Sequence, residues 1–245
     1  MKKAYAILLF IAVAMFFFRS TVNASDDKAK LTFYLGDVHT RIDSENNWGQ
    51  AKLQQILSTG YELKTGIESR AEITFTNKGI VRVGEKSLYV LNDLSQEEGA
   101  GEIEGSLFKG RIWANVKKIT GKEDKFNIRT TTAVAAVRGT VFRIDVLTDS
   151  TTELYVYKGA VEVGGPQWAP DYGKEREWKA PQQVEGPKEV AMDQWTEIVR
   201  EQQKLVVGPK GMVSKSEFNI DEDKKDDWVD FNLKRDLSII ESGRN

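Results

Sequence analysis

Hydrophobic and polar residues alternate along most of the first two thirds of the chain, as they do in β-strands that have one buried face. The clearest strand places Phe142, Ile144 and Val146 on one face, with Arg143 and Asp145 opposite. This alternation predicts a half-buried strand. Lys158 and Gly159 then supply a turn after a second strand with the same pattern.

The same period of two recurs in short segments separated by turn residues. Those segments are 31–38, 61–65, 71–76, 81–83, 88–90, 102–117, 153–157 and 160–163. Asn77-Lys78-Gly79 provides a turn suited to positive φ. Closely spaced strands of this kind predict an all-β domain, for which a sandwich, a short roll or a solenoid remain open.

The composition changes after Gly164. Prolines at 166, 170, 181 and 187 predict a loop that wraps the sheet. A helix is expected at 192–205, because Trp195, Ile198, Val199 and Leu205 form an incomplete apolar stripe that ends before Gly208-Pro209. The predicted boundaries are therefore 25–185 for the all-β domain and 186–245 for a helical C-terminal extension.

The last part of the extension is charged but retains large apolar residues. They are Trp228, Phe231, Leu233, Leu237 and Ile240. A second short amphipathic helix that closes the structure is the first interpretation, and a disordered tail with a partner-binding segment is the second. Trp228 and Phe231 are the candidate partner contacts, since they give this segment more aromatic area than a tail requires.

The N-terminus is typical of a secretory signal peptide. Lys2 and Lys3 precede an apolar run at 4–18, and a small-residue site ends at Ala24. Cleavage is expected after Ala24, so that 1–24 is removed, although an uncleaved anchor is the alternative. We therefore expect a periplasmic or secreted protein without a stable membrane span.

Charge and cysteine content narrow the function further. Removing 24 residues from 245 leaves 221, and the loss of Lys2, Lys3 and Arg19 changes the formal charge from −2 to −5. Mild acidity argues against a nucleic-acid partner. The chain has no cysteine, which excludes disulfides, thiolate nucleophiles and thiolate metal sites.

Candidate chemistry is sparse. His39, the single histidine, lies beside Asp37 in a predicted hairpin, where a surface residue is the simpler interpretation. The acidic cluster at 221–230 is interrupted by lysines and lacks a glycine for a calcium loop, so we interpret it as solvated. We predict no catalytic residues, no metal and no cofactor.

The stretch 130–163 contains an apolar VRGT strand, a hairpin and a GxVxV strand. The residues of this pattern are Ala136, Val137, Arg138, Gly139, Thr140, Phe142, Gly159, Val161 and Val163. The pattern strongly resembles the signature of the FecR domain family. With the segment that contains LKTGIESRAEITF, the resemblance covers about 55–163. It implies strands stacked as two facing sheets in a roll.

Three residues of this region have two interpretations each. Arg138 either fixes the VRGT corner, largely shielded from solvent, or binds a carboxylate of a partner. Trp113 lies on the polar face of its strand and either covers a neighbouring strand or loop or belongs to a platform for sugar or peptide. Gly139 is expected at a bulge or a close backbone approach.

Founding members of the FecR family are membrane-spanning sensors that contact a sigma factor and a transporter. This sequence departs from that plan, because we expect its apolar run to be cleaved and predict no cytoplasmic domain before it. Two functions therefore remain open. One is a non-catalytic envelope module that binds or scaffolds another envelope protein; the other is a binder of cell-wall glycan.

Overall fold

In the computed structural model, the residues described are 29–44, 47–97, 100–118, 125–168 and 195–241. The predicted signal peptide at 1–24 and most of the predicted proline-rich loop lie outside these ranges. No helix in the described ranges is long and apolar enough to cross a membrane.

Seventeen strands account for most of the described chain, and they form two sheets. The strands are β1 (Ala29–Leu35), β2 (Val38–Ile42), β3 (Gly49–Gln50), β4 (Ile56–Leu57), β5 (Tyr61–Thr65), β6 (Arg70–Phe75), β7 (Gly79–Val83), β8 (Leu88–Glu97), β9 (Ala100–Val116), β10 (Lys125–Arg129), β11 (Val134–Val137), β12 (Val141–Val146), β13 (Thr152–Lys158), β14 (Ala160–Gly164), β15 (Thr196–Arg200), β16 (Gln203–Gly208) and β17 (Gly211–Glu217). The first sheet has the order β4-β1-β6-β7-β9-β12-β13-β16-β17. The second has the order β3-β2-β5-β8-β9-β10-β11-β14-β15.

Strand β9 belongs to both sheets and joins them. Its first part pairs with β8 and β10, and its last part pairs with β7 and β12. The strand changes sheet at Gly110, whose φ of +86° lies in the left-handed region. A Cβ at this position would lie 2.6 Å from the Cα of Ser87, so glycine is required at the bend.

One hydrophobic core lies between the two sheets. Phe75 of the first sheet and Phe126 of the second meet edge to face with ring centroids 5.9 Å apart. Ile112, Phe142 and Ile144 point into this core, as the alternation predicted. The prediction of an all-β fold with a C-terminal helical segment is confirmed.

The predicted helix at 192–205 is wrong. Within the described part of that range the chain forms β15 and the start of β16, joined by a turn at which Gln202 has a φ of +62°. Strand β15 pairs with β14, and β16 pairs with β13. The two sheets therefore continue into the predicted helical extension at 186–245, as far as Glu217.

Two helices follow the last strand. The sequence analysis predicted a short amphipathic helix in this part of the chain. The one-turn helix α1 spans Ile220–Asp223, and α2 spans Asp227–Glu241. The side chain of Asp226 accepts a hydrogen bond of 2.8 Å from the backbone N–H of Trp228, which caps the start of α2. Trp228, Val229, Asn232 and Asp236 face the protein and are buried.

Helices α1 and α2 lie on the outer face of the first sheet. As a result, Arg143 and Asp145 on the polar face of β12 are only 3% and 6% exposed. The prediction that this strand is half-buried is therefore wrong. Both of its faces are covered, one by the core and the other by the C-terminal helices.

Candidate functional site

The outer face of the first sheet carries a row of charged and aromatic residues that lie directly opposite one another on successive strands. Along β1, β6, β7, β9, β12, β13 and β16 the row is Phe33, Glu72, Arg82, Trp113, Arg143, Tyr155 and Lys204. Strand alternation places all seven on the face opposite the main core. Arg70, Arg111 and Tyr157 flank the row, and we call this surface the arginine face.

The acidic segment, residues 218–241, covers the arginine face with α1 and α2. Four of its six aspartates each meet a different arginine of the sheet. The pairs are Asp223–Arg143, Asp226–Arg111, Asp227–Arg70 and Asp236–Arg82. This one-to-one pairing fixes the position of the segment along the sheet.

The most deeply buried of these pairs lies at the centre of the row. Arg82, 1% exposed, donates from Nη1 to Asp236 Oδ1 at 2.6 Å and from Nε to Glu72 Oε2 at 2.7 Å. The indole Nε1 of Trp113 donates to Asp236 Oδ2 at 3.0 Å. Asp236 therefore receives hydrogen bonds from two neighbouring strands with one carboxylate.

Arg235 of helix α2 completes this cluster. Its Nε and Nη2 donate to the two carboxylate oxygens of Glu72 at 2.7 and 3.1 Å. Burial acts to raise the pKa of Glu72, but the hydrogen bonds and charges of Arg235 and Arg82 outweigh it and lower the pKa to about 2. Glu72 therefore stays ionised and holds a guanidinium from the sheet and another from the helix.

A second group of polar contacts joins α1 to the sheet. Arg143 donates to both carboxylate oxygens of Asp223 at 3.1 and 3.2 Å, and the hydroxyl of Tyr157 donates to the same carboxylate. Burial raises the pKa of Tyr157 and the acceptance by Asp223 adds to the effect, so the phenol remains a donor. These contacts are the two-pronged type that guanidinium groups make with carboxylates.

Aromatic rings fill the space between the ion pairs. Trp113, which is fully buried, packs on Tyr157 with centroids 4.3 Å apart, and Trp228 stacks on Phe231 at 6.1 Å. The guanidinium of Arg143 lies 3.9 Å from the centroid of Tyr155. A small second hydrophobic cluster thus forms outside the main core and includes both sheet and helix residues.

The predicted partner contacts lie inside this interface. Trp228 is 4% exposed and packs against the sheet, so in this structure it contacts the chain's own strands, and its contact with a partner remains a prediction. Phe231 is half-buried, stacks on Trp228 and lies under Arg70. Trp113 is fully buried beneath helix α2, to whose Asp236 it donates, so it does not belong to an exposed platform for sugar or peptide.

The predicted VRGT motif forms a corner at one end of the fold. Val137, Phe142 and Val161 are buried in the main core, and the buried hydroxyl of Thr140 donates to the carbonyl of Ala160 at 2.9 Å. Gly159 has a φ of +87°. Arg138 is exposed, so the expectation that it would be shielded is wrong.

Replacing Gly139 with valine is expected to destabilise the protein by roughly 1 to 3 kcal/mol. Its φ of +67° is unfavourable for a β-branched residue, and a Cβ would lie 3.2 Å from the Cα of Lys118. Denaturant unfolding measures the change. Gly49→Val is the matched control, since a Cβ there meets only the carbonyl of Thr40 at 3.8 Å. Equal midpoints for the two variants would contradict the prediction.

The sequence suggested two charged features, His39 and the acidic cluster, and the structure places both. His39 lies in β2 with its Nδ1 3.2 Å from Asp37, half-buried at the surface. The acidic cluster was interpreted as solvated, and this is wrong for Asp223 and Asp226, which pair with sheet arginines. Burial acts to raise the pKa of Asp226, but the Arg111 hydrogen bond and charge lower it overall.

Part of the chain matches a known protein family. Residues 61–162 match the family model described as FecR protein. This part of the chain is therefore similar to a FecR domain. The match confirms the family suggested by the VRGT signature. The matched range contains every arginine of the arginine face, whereas the acidic segment lies outside that range.

Two solved structures are similar to this chain. They are crystal structures, at 1.65 and 2.50 Å resolution, of a protein from Parabacteroides distasonis ATCC 8503 provisionally described as an anti-sigma factor. Each is 16% identical, with a TM-score of 0.46, and the alignment covers 64% of this chain and 60% of theirs. No curated protein matches this chain.

Within the described residues, no three histidine, aspartate or glutamate side chains form a metal-binding group. The sequence interpretation missed Glu72, Arg82 and Asp236, which are the centre of the interface. A signal for two of them was present, because Glu72 and Arg82 occupy outward positions in alternating strands. Their burial could not be read from the strands alone.

Stability at acid pH is expected to depend on Glu72. Its pKa is lowered from the ordinary 4.5 to about 2. Its contribution, about 3 kcal/mol from that difference, is therefore complete above pH 4.5 and is lost as the pH falls towards 2. Denaturant unfolding at a series of pH values measures it, and Glu72→Gln should flatten the curve in this window. Parallel curves for the two proteins would contradict the prediction.

Proposed function

We propose that this chain is an exported, non-catalytic FecR-domain protein that acts as a binding or scaffolding module in envelope signalling. The observation that carries the proposal is the arginine face. The FecR strands arrange guanidinium groups and aromatic rings so that they hold a polypeptide helix by its carboxylates. Arginine and large aromatic residues are the side chains that dominate binding energy at protein interfaces.

This surface favours a protein partner over cell-wall glycan. Sugar binding uses exposed aromatic rings, but Trp113 and Trp228 are buried between sheet and helix. The guanidinium groups of the face are matched to carboxylates on a helix. We therefore propose another envelope protein as the partner.

The partner class can be tested with the purified mature chain as bait. Retention of one envelope protein, followed by reconstitution of the complex from two purified components, is the expected result. Cosedimentation with purified wall fragments in the absence of added protein would instead support the glycan alternative. A hydrolytic or transferase activity that survives purification to homogeneity would overturn the non-catalytic part of the proposal.

Export has its own test. Mass spectrometry of the protein from its native host should find an N-terminus at Ser25, because Ala24 ends the small-residue site after the apolar run. A full-length protein in the inner membrane would contradict cleavage and favour a membrane-anchored sensor.

A further inference from the structure

We propose that the acidic segment is an exchangeable occupant of the arginine face, and that the face binds an acidic amphipathic helix of the partner protein in its place. This inference rests on the proposed function, because it names the surface that the partner uses. The chemistry of the internal occupant defines the ligand. It is a helix with an aromatic residue in its first turn and aspartates before, at the start of and two turns into the helix, as in Asp226, Trp228 and Asp236.

Charge complementarity is the first observation behind the proposal. Four arginines of the FecR domain meet four aspartates of the acidic segment, and none of the four pairs joins two residues of the same element. A surface built only to be sealed needs apolar residues, since burying ion pairs contributes little net stability. Paired charges instead specify which helix binds and where it lies.

The second observation is that the interface leaves buried polar atoms unmatched. Nη2 of Arg82 and Nε1 of Trp228 are buried, and neither has a hydrogen-bond partner among the described residues. Arg82 as a residue is only 1% exposed and lies at the centre of the face. A buried donor without an acceptor weakens the interface that contains it, so another helix that supplies an acceptor can compete.

The third observation is the way the segment is attached. Residues 218–226, which include the short α1, connect the edge strand β17 to α2, and the main core contains no residue of α1 or α2. The acidic segment can therefore leave the sheet without breaking a strand pairing. Its departure would expose Trp113, Tyr157 and the arginines together.

The test compares one protein in two states. The chain has no cysteine, so Arg70→Cys with Asp227→Cys provides a unique pair at a contact on the rim of the interface. A short bismaleimide crosslinker locks α2 to β6, and the same protein without crosslinker has a loosened helix. The probe is a fluorescent peptide with the sequence 218–241, and fluorescence anisotropy measures its binding.

We expect the uncrosslinked protein to bind the peptide at least tenfold more tightly than the crosslinked protein, with binding that weakens as salt rises. A control peptide with asparagine in place of Asp223 and Asp236 should lose that binding. Circular dichroism of both states monitors the sheets. Equal affinity in the two states, or no binding although hydrogen exchange shows α2 detached, would overturn the proposal.

Self-exchange is a separate outcome. A dimer that forms only in the uncrosslinked protein, measured by light scattering, would show that a second copy takes the place assigned to the partner and would overturn the choice of occupant. Failure of the peptide to bind leaves the bait experiment able to find a partner at another surface. The two proposals can thus fail independently.

Discussion

Replacing Asp236 with alanine is expected to release helix α2 from the first sheet while the two sheets stay folded. The carboxylate is the shared acceptor of Arg82 and Trp113, at 2.6 and 3.0 Å. Its loss would leave two buried donors without that acceptor, and breaking a buried ion pair costs about 3 to 5 kcal/mol. Release of the helix relieves this cost, because water can then reach both donors.

The size of the effect has an upper limit for the same reason. The free energy lost cannot exceed the free energy of docking the helix, because the two sheets stay folded when α2 leaves. Burial of Trp228 and Val229 contributes about 1.5 to 3 kcal/mol each to that docking. A loss of several kcal/mol is therefore enough to detach the helix in most molecules.

Hydrogen exchange measures the prediction directly. Amides of α2 should lose protection in Asp236→Ala by a factor of a hundred or more, whereas those of β12 keep theirs. Asp230→Ala is the control on the same helix, because among the described residues the Asp230 carboxylate pairs with the exposed Lys234 four residues later and with no arginine of the sheet. That variant should change protection little. Protection of α2 equal to that of the unmodified chain would contradict the prediction.

Before residue 165, the alternating pattern was sufficient for most of the strands and for their inward faces. Phe142 and Ile144 face the core because the period of two leaves no other arrangement when one face is apolar. The sequence also indicated special backbone conformations at Gly139 and Gly159. Both glycines have positive φ in the structure. These features depend on neighbouring residues in the chain.

The contacts of the outer face join residues that are far apart in the sequence. Arg82 and Asp236 are 154 positions apart, and Arg143 and Asp223 are 80 apart. An arginine on the polar side of a strand has the same pattern whether water or a helix covers it. The acidic cluster was visible in the sequence, but only the fold shows that the arginines are its partners.

The wrong helix at 192–205 has a local cause. Trp195, Ile198, Val199 and Leu205 fit an incomplete helical stripe, and the turn between β15 and β16 contains neither glycine nor proline. Gln202 adopts positive φ at that turn, which a glutamine does not signal. The pairing of β15 with β14 and of β16 with β13 then decides the structure.

Ending the chain after Glu217 is expected to preserve the β-sheet circular dichroism and to lower the melting temperature. The cut removes the acidic segment without touching a strand, but it exposes Trp113 and Tyr157. Covering each aromatic side chain contributes about 1.5 to 3 kcal/mol, and removing the segment also removes the entropy cost of ordering it. We expect a net loss of about 2 to 4 kcal/mol, or roughly 5 to 15 °C for a domain of this size.

A cut after Val207 should cost more, and the difference between the two cuts separates sealing by the helices from sealing by the last strand. The earlier cut also removes β17, which pairs along β16 from Gln203 to Gly208 and leaves β16 as the edge of the sheet. Removing only 242–245 is the control and should leave the melting temperature unchanged. If a cut after Glu217 does not lower the melting temperature, the helices do not seal the sheet. If the same cut abolishes the β-sheet circular dichroism, the sheets require the helices to fold. The expected intermediate result is a folded but less stable β-domain whose tryptophan fluorescence is shifted to the red. In that case the β-domain is stable enough for the exposed arginine face to bind another helix.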